Sequence, residues 1–294
     1  MNLQAHLEDF VRDGYTVFPA VHGAALMQRW RAAYAPLCEA ASLPGQPPVA
    51  WLSELLEAAP SLFLPMVAHP LLLDFAEAVM GPFVQMDSTA FNLFPSVPAS
   101  QAQGRVNGWH RDRYACVPQT RDYLRPWCIN AITYLQDLTA ATGPLRVIPG
   151  SHRDPVVFGA EERSRPHPRE VLLEPRAGDV VVTHGLLAHA GSPNTSGGPR
   201  YFLSASLNMC WLRHRDALSG PRVAALVADA RERRDRRLLR LLGQDELLWE
   251  RSNPYFETDD DPTRWRRWAA EDQTLLLRAL PLELNPPEPE NMAR

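Results

Sequence analysis

Gly108-Trp109-His110-Arg111-Asp112 is the stretch whose reading decides the fold. It must meet a second stretch about eighty residues on, His189-Ala190-Gly191-Ser192-Pro193-Asn194-Thr195-Ser196-Gly197-Gly198-Pro199-Arg200. In an extended strand, residues two apart point to the same side, so His110 and Asp112 aim an imidazole and a carboxylate at one point. A third donor has to come from another strand laid alongside. The segment Gly178-Asp179-Val180-Val181-Val182-Thr183 is a turn followed by a β-branched run, a strand signal, and both His184 and His189 follow it. A further strand, Arg200 to Met209, follows the glycine-rich turn. Two histidines and one carboxylate on one face of an octahedron leave the opposite face open, the geometry that suits non-haem Fe(II). That open face can take a bidentate 2-keto acid and O2. By itself H-x-D says little, because nine histidines make chance pairs common and a surface loop is the ordinary alternative.

Composition bounds the answer. The chain has 294 residues, 45% hydrophobic and 22% charged, with a net charge of −4. That is ordinary globular usage, with length enough for a sizeable core and for one barrel-type domain. No basic stripe points to nucleic acid. No apolar run reaches the ~18 residues of a membrane span, and the N-terminus, with Glu8 and Asp9, lacks a basic-then-apolar leader. A cytoplasmic protein, monomeric or homodimeric and acting on a small molecule, is expected. Cys38, Cys116, Cys128 and Cys210 form no C-x-x-C pair and read as small buried hydrophobes.

Along the chain, residues 3–13 predict a helix with Leu3, Leu7, Phe10 and Val11 on one side, and Gly14 turns it into a strand from Tyr15 to Phe18. Helices follow over 23–41 and 69–80, the latter stopped by Gly81-Pro82. Residues 47–60 read as a Pro-interrupted segment with an amphipathic core from Trp51 to Ala58. Strands begin at 83–94. Residues 95–108 and Arg113 to Pro126 read as loops at the mouth of a pocket, the second carrying Tyr114 and Tyr123. Residues 153–170 form a long irregular insertion, expected as a lid. His152 reads as a turn residue with local hydrogen bonds. The run Arg231-Glu232-Arg233-Arg234-Asp235-Arg236-Arg237 reads as a solvated helix face. Trp265 and Trp268 are expected to pack a helix onto the body, Glu257 to Pro262 to be an acidic loop, and Pro287 to Arg294 a disordered tail.

The order H-x-D, distal His, then Arg eleven residues later is far more specific than any of its parts. With Asp9-Phe10-Val11-Arg12-Asp13-Gly14-Tyr15-Thr16-Val17-Phe18-Pro19 and Thr142-Gly143-Pro144-Leu145-Arg146-Val147-Ile148-Pro149-Gly150-Ser151-His152, it resembles the phytanoyl-CoA dioxygenase family of Fe(II)/2-oxoglutarate oxygenases, over roughly residues 5 to 210. The resemblance implies that His110, Asp112 and His189 hold Fe(II), the family spacing selecting His189 over His184. It implies that Arg200 binds the C5 carboxylate of 2-oxoglutarate. A guanidinium fork suits that task, and with no lysine in the chain the anchor has to be an arginine. It implies that the strand at 127–138 lines the keto-acid pocket. Asn130, Ile132 and Tyr134 share one face of that strand, and Ile129, Ala131 and Thr133 the other. The alternation does not say which face is inward, so Asn130, Ile132 and Thr133 all stand as candidates. In related halogenases a small residue replaces the carboxylate; Asp112 is present here, which favours hydroxylation or a similar oxidation.

The fold expected is mainly β with flanking helices, a double-stranded β-helix (jelly-roll, cupin-like) core, in one domain over 1–294. Residues 1–82 are expected to be mostly helical, 83–212 to be the jelly-roll core with the metal site, and 213–294 a helical C-terminal extension. O2 would be the second co-substrate. Two other readings use the same residues: a zinc hydrolase, which would not need Arg200, and a non-catalytic jelly-roll that binds a small molecule. A natural-product tailoring role is the favoured biological setting.

Overall fold

The computed structural model describes residues 2–40, 50–113, 125–252, 261–279 and 282. Tyr114, Cys116 and Tyr123, the acidic stretch to residue 260 and the tail 287–294 lie outside the described residues, as does the side chain of Cys38. In chain order the elements are α1 (Leu3–Asp13), β1 (Tyr15–Phe18), α2 (Ala24–Ala40), β2 (Ala50–Ser53), α3 (Leu55–Ala58), α4 (Pro60–Val67), α5 (Pro70–Met80), β3 (Val84–Phe94), α6 (Ala99–Ala102) and β4 (Cys128–Tyr134). Then follow β5 (Leu145–Val147), β6 (Val171–Leu173), β7 (Val180–His184), β8 (His189–Gly191), β9 (Arg200–Met209), α7 (Pro221–Arg233), α8 (Arg236–Leu241), α9 (Leu248–Ser252) and α10 (Asp261–Leu275).

Two antiparallel sheets make the body, a large one in the order β1-β7-β4-β9-β3-β2 and a small one in the order β6-β5-β8. This is the jelly-roll that the sequence predicts, with helices packed outside it. The period-2 alternation of the strands divides the core. Ile129 and Ala131 of β4, Val180 and Val182 of β7, and Leu203, Ala205 and Leu207 of β9 join the helices in one outer core. Ile132, Tyr134, Val181, Leu145 and Val147 form a separate cluster between the sheets. Helices from both ends of the chain share the outer core: Phe10 and Phe18 meet Phe75 edge-on, while Val223, Val227, Leu238 and Leu242 enter it from the C-terminal side. Among the described residues no single helix is long and apolar enough to cross a membrane.

α1 starts where the Asn2 side chain accepts a hydrogen bond from the Gln4 N–H, and it ends at Gly14, whose φ of +83° suits a left-handed cap. Position 14 has a second constraint. A Cβ there would fall 2.5 Å from Nδ1 of His152. His152 is therefore not the local turn residue its context predicts: it is buried and hydrogen-bonds the Val11 carbonyl at 3.1 Å, tying the loop after β5 to α1. Val11, expected on the apolar face, is 38% exposed.

Two other expectations fail for physical reasons. The Trp51 segment begins as an edge strand rather than continuing as an amphipathic helix, because β3 offers it a ladder from Ala50↔Leu93 to Ser53↔Ala90, and such pairing overrides local propensity. The arginine run at 231–237 is not merely a solvated face. Arg233 is 1% exposed, paired with Asp229 at 2.7 Å and Asp235 at 2.8 Å, and Arg237 joins α8 to α5 through Asp74 and Glu77. Guanidiniums tolerate burial when carboxylates neutralise them. Trp265 and Trp268 do pack onto the body, beneath the guanidiniums of Arg240 and Arg251 at 4.9 and 5.5 Å.

His22 is buried, stands edge-on to Trp30, and has neither ring nitrogen hydrogen-bonded. Burial, with some help from His69, pulls its pKa down to about 3. Its folded pKa lies below the unfolded value near 6.5, so the unfolded chain binds the extra proton, and stability present at neutral pH is lost as pH falls below about 6.5. The loss from this one group is about 2 kcal/mol between pH 7 and pH 5. His22→Phe, which keeps the aromatic contacts and cannot protonate, should flatten the acid side of the Tm-against-pH curve. An unchanged acid slope would show that His22 does not carry it.

Candidate metal and co-substrate site

His110 and His189 face each other as a bridged antiparallel pair, each N–H donating to the other's carbonyl at 3.0 Å. Residues opposed in this way send their side chains to the same side of the sheet, and Asp112, two residues beyond His110, follows the same side. The ligand atoms of His110, Asp112 and His189 all lie within 4.8 Å of one another. Nε2 of His189 is 4.0 Å from Oδ1 of Asp112.

The tautomers are fixed by the backbone. Nδ1 of His110 meets the Gly108 carbonyl at 3.0 Å, and Nδ1 of His189 meets the Leu187 carbonyl at 3.1 Å. A carbonyl only accepts, so both Nδ1 atoms carry the proton, and both Nε2 lone pairs are left for a metal. Surrounding protein and the neighbouring His189 hold the His110 imidazole below its ordinary pKa range, which favours this neutral ligand form. Asn130 donates Nδ2 to Oδ2 of Asp112 at 3.3 Å, leaving Oδ1 of the carboxylate for the metal. His184, the rival donor, turns the other way: its ring packs on Phe10 and on His152, and its Nδ1 accepts the Leu186 N–H at 3.1 Å.

The insertion expected as a lid instead braces the back of the H-x-D segment. The Trp109 N–H donates to the Arg163 carbonyl at 2.9 Å, its indole N–H to the Arg165 carbonyl at 2.9 Å, and its ring stacks on Phe158. Arg111 adds a clip to the Leu186 and Val156 carbonyls at 3.0 and 2.8 Å. The metal segment is thereby held on both edges, by β8 on one and by this insertion on the other.

Arg200 opens β9 and is 3% exposed. Its Nη1 donates to the carbonyls of Thr142, Gly143 and Ser192 at 3.1, 2.6 and 2.9 Å, while its Nε has no partner. Among the described residues no carboxylate pairs with it. Tyr134, whose phenol burial pushes up to about 12 and so keeps neutral, stands near, and the Phe94 ring lies 5.3 Å from the guanidinium. Two glycines make room. A Cβ at Gly143, where φ is +89°, would fall 2.6 Å from Nη1 of Arg200; one at Gly191 would fall 3.2 Å from Nη2. Position 191 lies on the same side of β8 as His189 and about 7 Å along it. A buried cation with no carboxylate partner among the described residues therefore lies beside Gly191, two residues along β8 from His189.

The face of β4 that the sequence leaves open is settled by its neighbours. Asn130, Ile132 and Tyr134 point between the sheets. Thr133 is a correction: it lies between Val180 and Leu203 on the helix side, on the face opposite Asn130 and Ile132. Sequence reasoning missed Gly143 and Gly191, although the first sits inside the quoted Thr-Gly-Pro motif. It also missed Asn92, Ser204, Ser206 and Asn208, whose signal was available as polar residues at every second position of otherwise apolar strands.

Two imidazoles and one carboxylate, with a buried arginine near them in the fold, make a donor set that would suit a non-haem iron centre. Residues 10–202 match the model of the phytanoyl-CoA dioxygenase (PhyH) family, and the chain belongs to that family. It is 34% identical over 125 residues to dioxygenase hkm4 of Aspergillus hancockii, covering 41% of this chain and 40% of that one. It is likewise 34% identical over 119 residues to the iron/alpha-ketoglutarate-dependent dioxygenase ausU of Aspergillus calidoustus, covering 39% and 37%. The match thus spans about two fifths of these relatives. In fold it is similar to HygX of Streptomyces hygroscopicus, solved with nickel and 2-oxoglutarate (TM-score 0.59, 18% identity, 72% of this chain and 88% of that one). It is also similar to the epimerase SnoN, solved with Fe3+, alpha-ketoglutarate and nogalamycin RO (TM-score 0.55, 18% identity, 73% and 87%).

Gly143→Ala should weaken 2-oxoglutarate binding by about tenfold or more, the cost of one misplaced charge-assisted hydrogen bond, with metal affinity kept. Isothermal titration of both ligands checks this. Equal affinity for 2-oxoglutarate would show that position 143 does not place Arg200.

Proposed function

We propose that the protein is an Fe(II)- and 2-oxoglutarate-dependent dioxygenase that hydroxylates, or otherwise oxidises, an unactivated C–H bond of a small molecule in natural-product biosynthesis. The observation that carries this is the Arg200 guanidinium, buried, held by three carbonyls and lacking a carboxylate partner among the described residues, beside a His-Asp-His cluster. A buried charge is normally paired, so the site suits an anionic ligand that also reaches the metal. A zinc hydrolase with the same triad has no use for such a cation.

Each residue has a task in this reading. His110 and His189 offer Nε2 to the metal and Asp112 offers Oδ1, while Asn130 fixes the other carboxylate oxygen. The Asp112 carboxylate takes the position that a halide needs in halogenases, which favours hydroxylation. Arg200, with its Nε unpartnered, would hold the C5 carboxylate of 2-oxoglutarate, and Ile132, between Asn130 and Tyr134 on the inner face, would line the same wall. Fe(II) with 2-oxoglutarate supplies an oxidant strong enough to break a C–H bond, with succinate and CO2 as co-products; the protein supplies ligands, orientation and exclusion of water. The natural-product setting is supported by the fold neighbours, one solved with hygromycin B bound and another with nogalamycin RO.

The test is anaerobic titration of the Fe(II)-loaded protein with 2-oxoglutarate, following the weak visible charge-transfer band of the chelate. The wild type should show the band. Arg200→Ala should need about tenfold or more 2-oxoglutarate to reach it, and Asp112→Ala should lose iron or change the band. Full iron occupancy with no band in the wild type would remove this reading and leave the hydrolase or the binding protein.

A further inference from the structure

The inner wall of the large sheet runs in rows set by the register of β4, β9 and β3. From the Arg200 end they are Tyr134–Phe202–Asn92, Ile132–Ser204–Ala90, Asn130–Ser206–Ser88 and Cys128–Asn208–Gln85. Asn130 touches Asp112, so the fourth row lies beyond the metal ligands, on the side away from Arg200. Here β3 carries a bulge between Met86 and Ser88, a device that re-aims a side chain. The extra residue is Asp87. Its carboxylate is 0% exposed and accepts from Nη2 of Arg113 at 2.7 Å, from Nε of Arg215 at 2.7 Å and from the Arg215 N–H at 3.1 Å.

One arginine would neutralise Asp87. Arg215 has a structural reason to be there, since the Asp87 carbonyl also accepts the backbone N–H groups of Arg215 and Asp216 and so pins the chain after β9. Arg113 is the second: among the described residues Asp87 pairs with two guanidiniums, one more positive charge than its own carboxylate neutralises. That charge is accessible, with the Arg113 side chain 34% and the Arg215 side chain 47% exposed. It is also placed by the metal segment itself. Arg113 directly follows Asp112, its N–H donates to the Gly185 carbonyl at 2.9 Å, and Gly185 in turn donates to the Cys128 carbonyl at 3.0 Å. Cys128, whose carbonyl Gly185 meets, thus lies on the same backbone path as Arg113.

Asn208 is the independent observation. It is 0% exposed, sits in register with Cys128 and Gln85, and neither of its amide atoms has a hydrogen-bond partner. Gln85 is already committed to the carbonyls of Met209 and Leu212 at 3.3 and 2.6 Å. An orphaned amide on the inner wall, in register with Gln85 two residues before Asp87, is a place for a polar ligand group.

We propose that this end of the barrel recognises an acidic group of the substrate, a carboxylate or a phosphate ester, through Arg113 and Arg215 held on Asp87, with Asn208 bonding the same group. The proposal rests on the oxygenase reading, and it makes the site bipolar: Arg200 takes the acid of the co-substrate at one end, and the Asp87 clamp takes the acid of the substrate at the other.

The test uses the full chain loaded with Zn(II) and saturating 2-oxoglutarate, which occupies Arg200. Fluorine NMR then measures binding of 4-fluorobenzoate, 4-fluorophenyl phosphate and the neutral 4-fluorobenzamide. At least one acid should bind about tenfold tighter than the amide, and which one does so names the acidic group. That preference should weaken as salt rises, survive in large part in Arg113→Lys, and disappear in Arg113→Met and Arg215→Met. Acids that bind no better than the amide, or a preference that is insensitive to salt or persists in both Met variants, would overturn it. The charge-transfer band of the Fe(II)-loaded variants shows that their folded co-substrate site is kept. A wild type with the band and no acid preference loses only this inference. A wild type without the band loses the oxygenase reading, while its acid preference is still measured.

Discussion

The guanidinium of Arg200 is the constraint on which the rest of the inner barrel depends. Burying it without a carboxylate costs several kcal/mol unless its protons find acceptors. The protein supplies three carbonyls to one nitrogen, from the turn before β5 and the loop after β8. Those carbonyls can converge only because residue 143 has no side chain and adopts a left-handed conformation. The arginine is thus held through Nη1, while its Nε has no partner. For the anion site proposed above, the ordering would already have been done in folding.

The two-sided strands explain how polar side chains line the inside of the large sheet in a protein of ordinary composition. Each long strand of the large sheet sends one side chain in two into the helical layer and the next into the barrel. The outer positions are almost all aliphatic and join helices from both termini into one core. The inner positions grade from the apolar Tyr134–Phe202 row to the polar Asn130–Ser206–Ser88 row. Stability therefore rests on one face of the sheet while the other face is free to carry chemistry. The C-terminal helices belong to this scheme, since α7 and α8 cover the same outer face through Val223, Leu238 and Leu242 and are fastened by Arg237 to α5.

How much of this the sequence discloses follows from the range of each interaction. His110 and Asp112 are legible from local strand geometry and His189 and Arg200 from the chain order of the family they resemble, and the jelly-roll brings the first three together. α1, α5, β3, β4 and β9 are legible from periodicity. The inward face of β4 is not, because both faces of a strand buried on two sides are apolar enough to be either; only the pairing with Val180 and Leu203 sends Thr133 outward. Nor is the strand at Ala50–Ser53, which exists because β3 has an edge to offer. Arg237 in the arginine run misleads for the same reason: its partners Asp74 and Glu77 lie about 160 residues away.

The barrel's two cationic ends differ in how they are built, and the difference has a physical logic. Arg200 is closed in, fully buried and dependent on backbone carbonyls, which suits a ligand that never varies. The pair on Asp87 is half-open and held by a side chain at a bulge, so its charge faces outward and its geometry can adjust. A fixed co-substrate calls for the first arrangement, and a substrate that arrives, reacts and leaves calls for the second. The metal ligands lie between them, with Arg113 covalently adjoining Asp112.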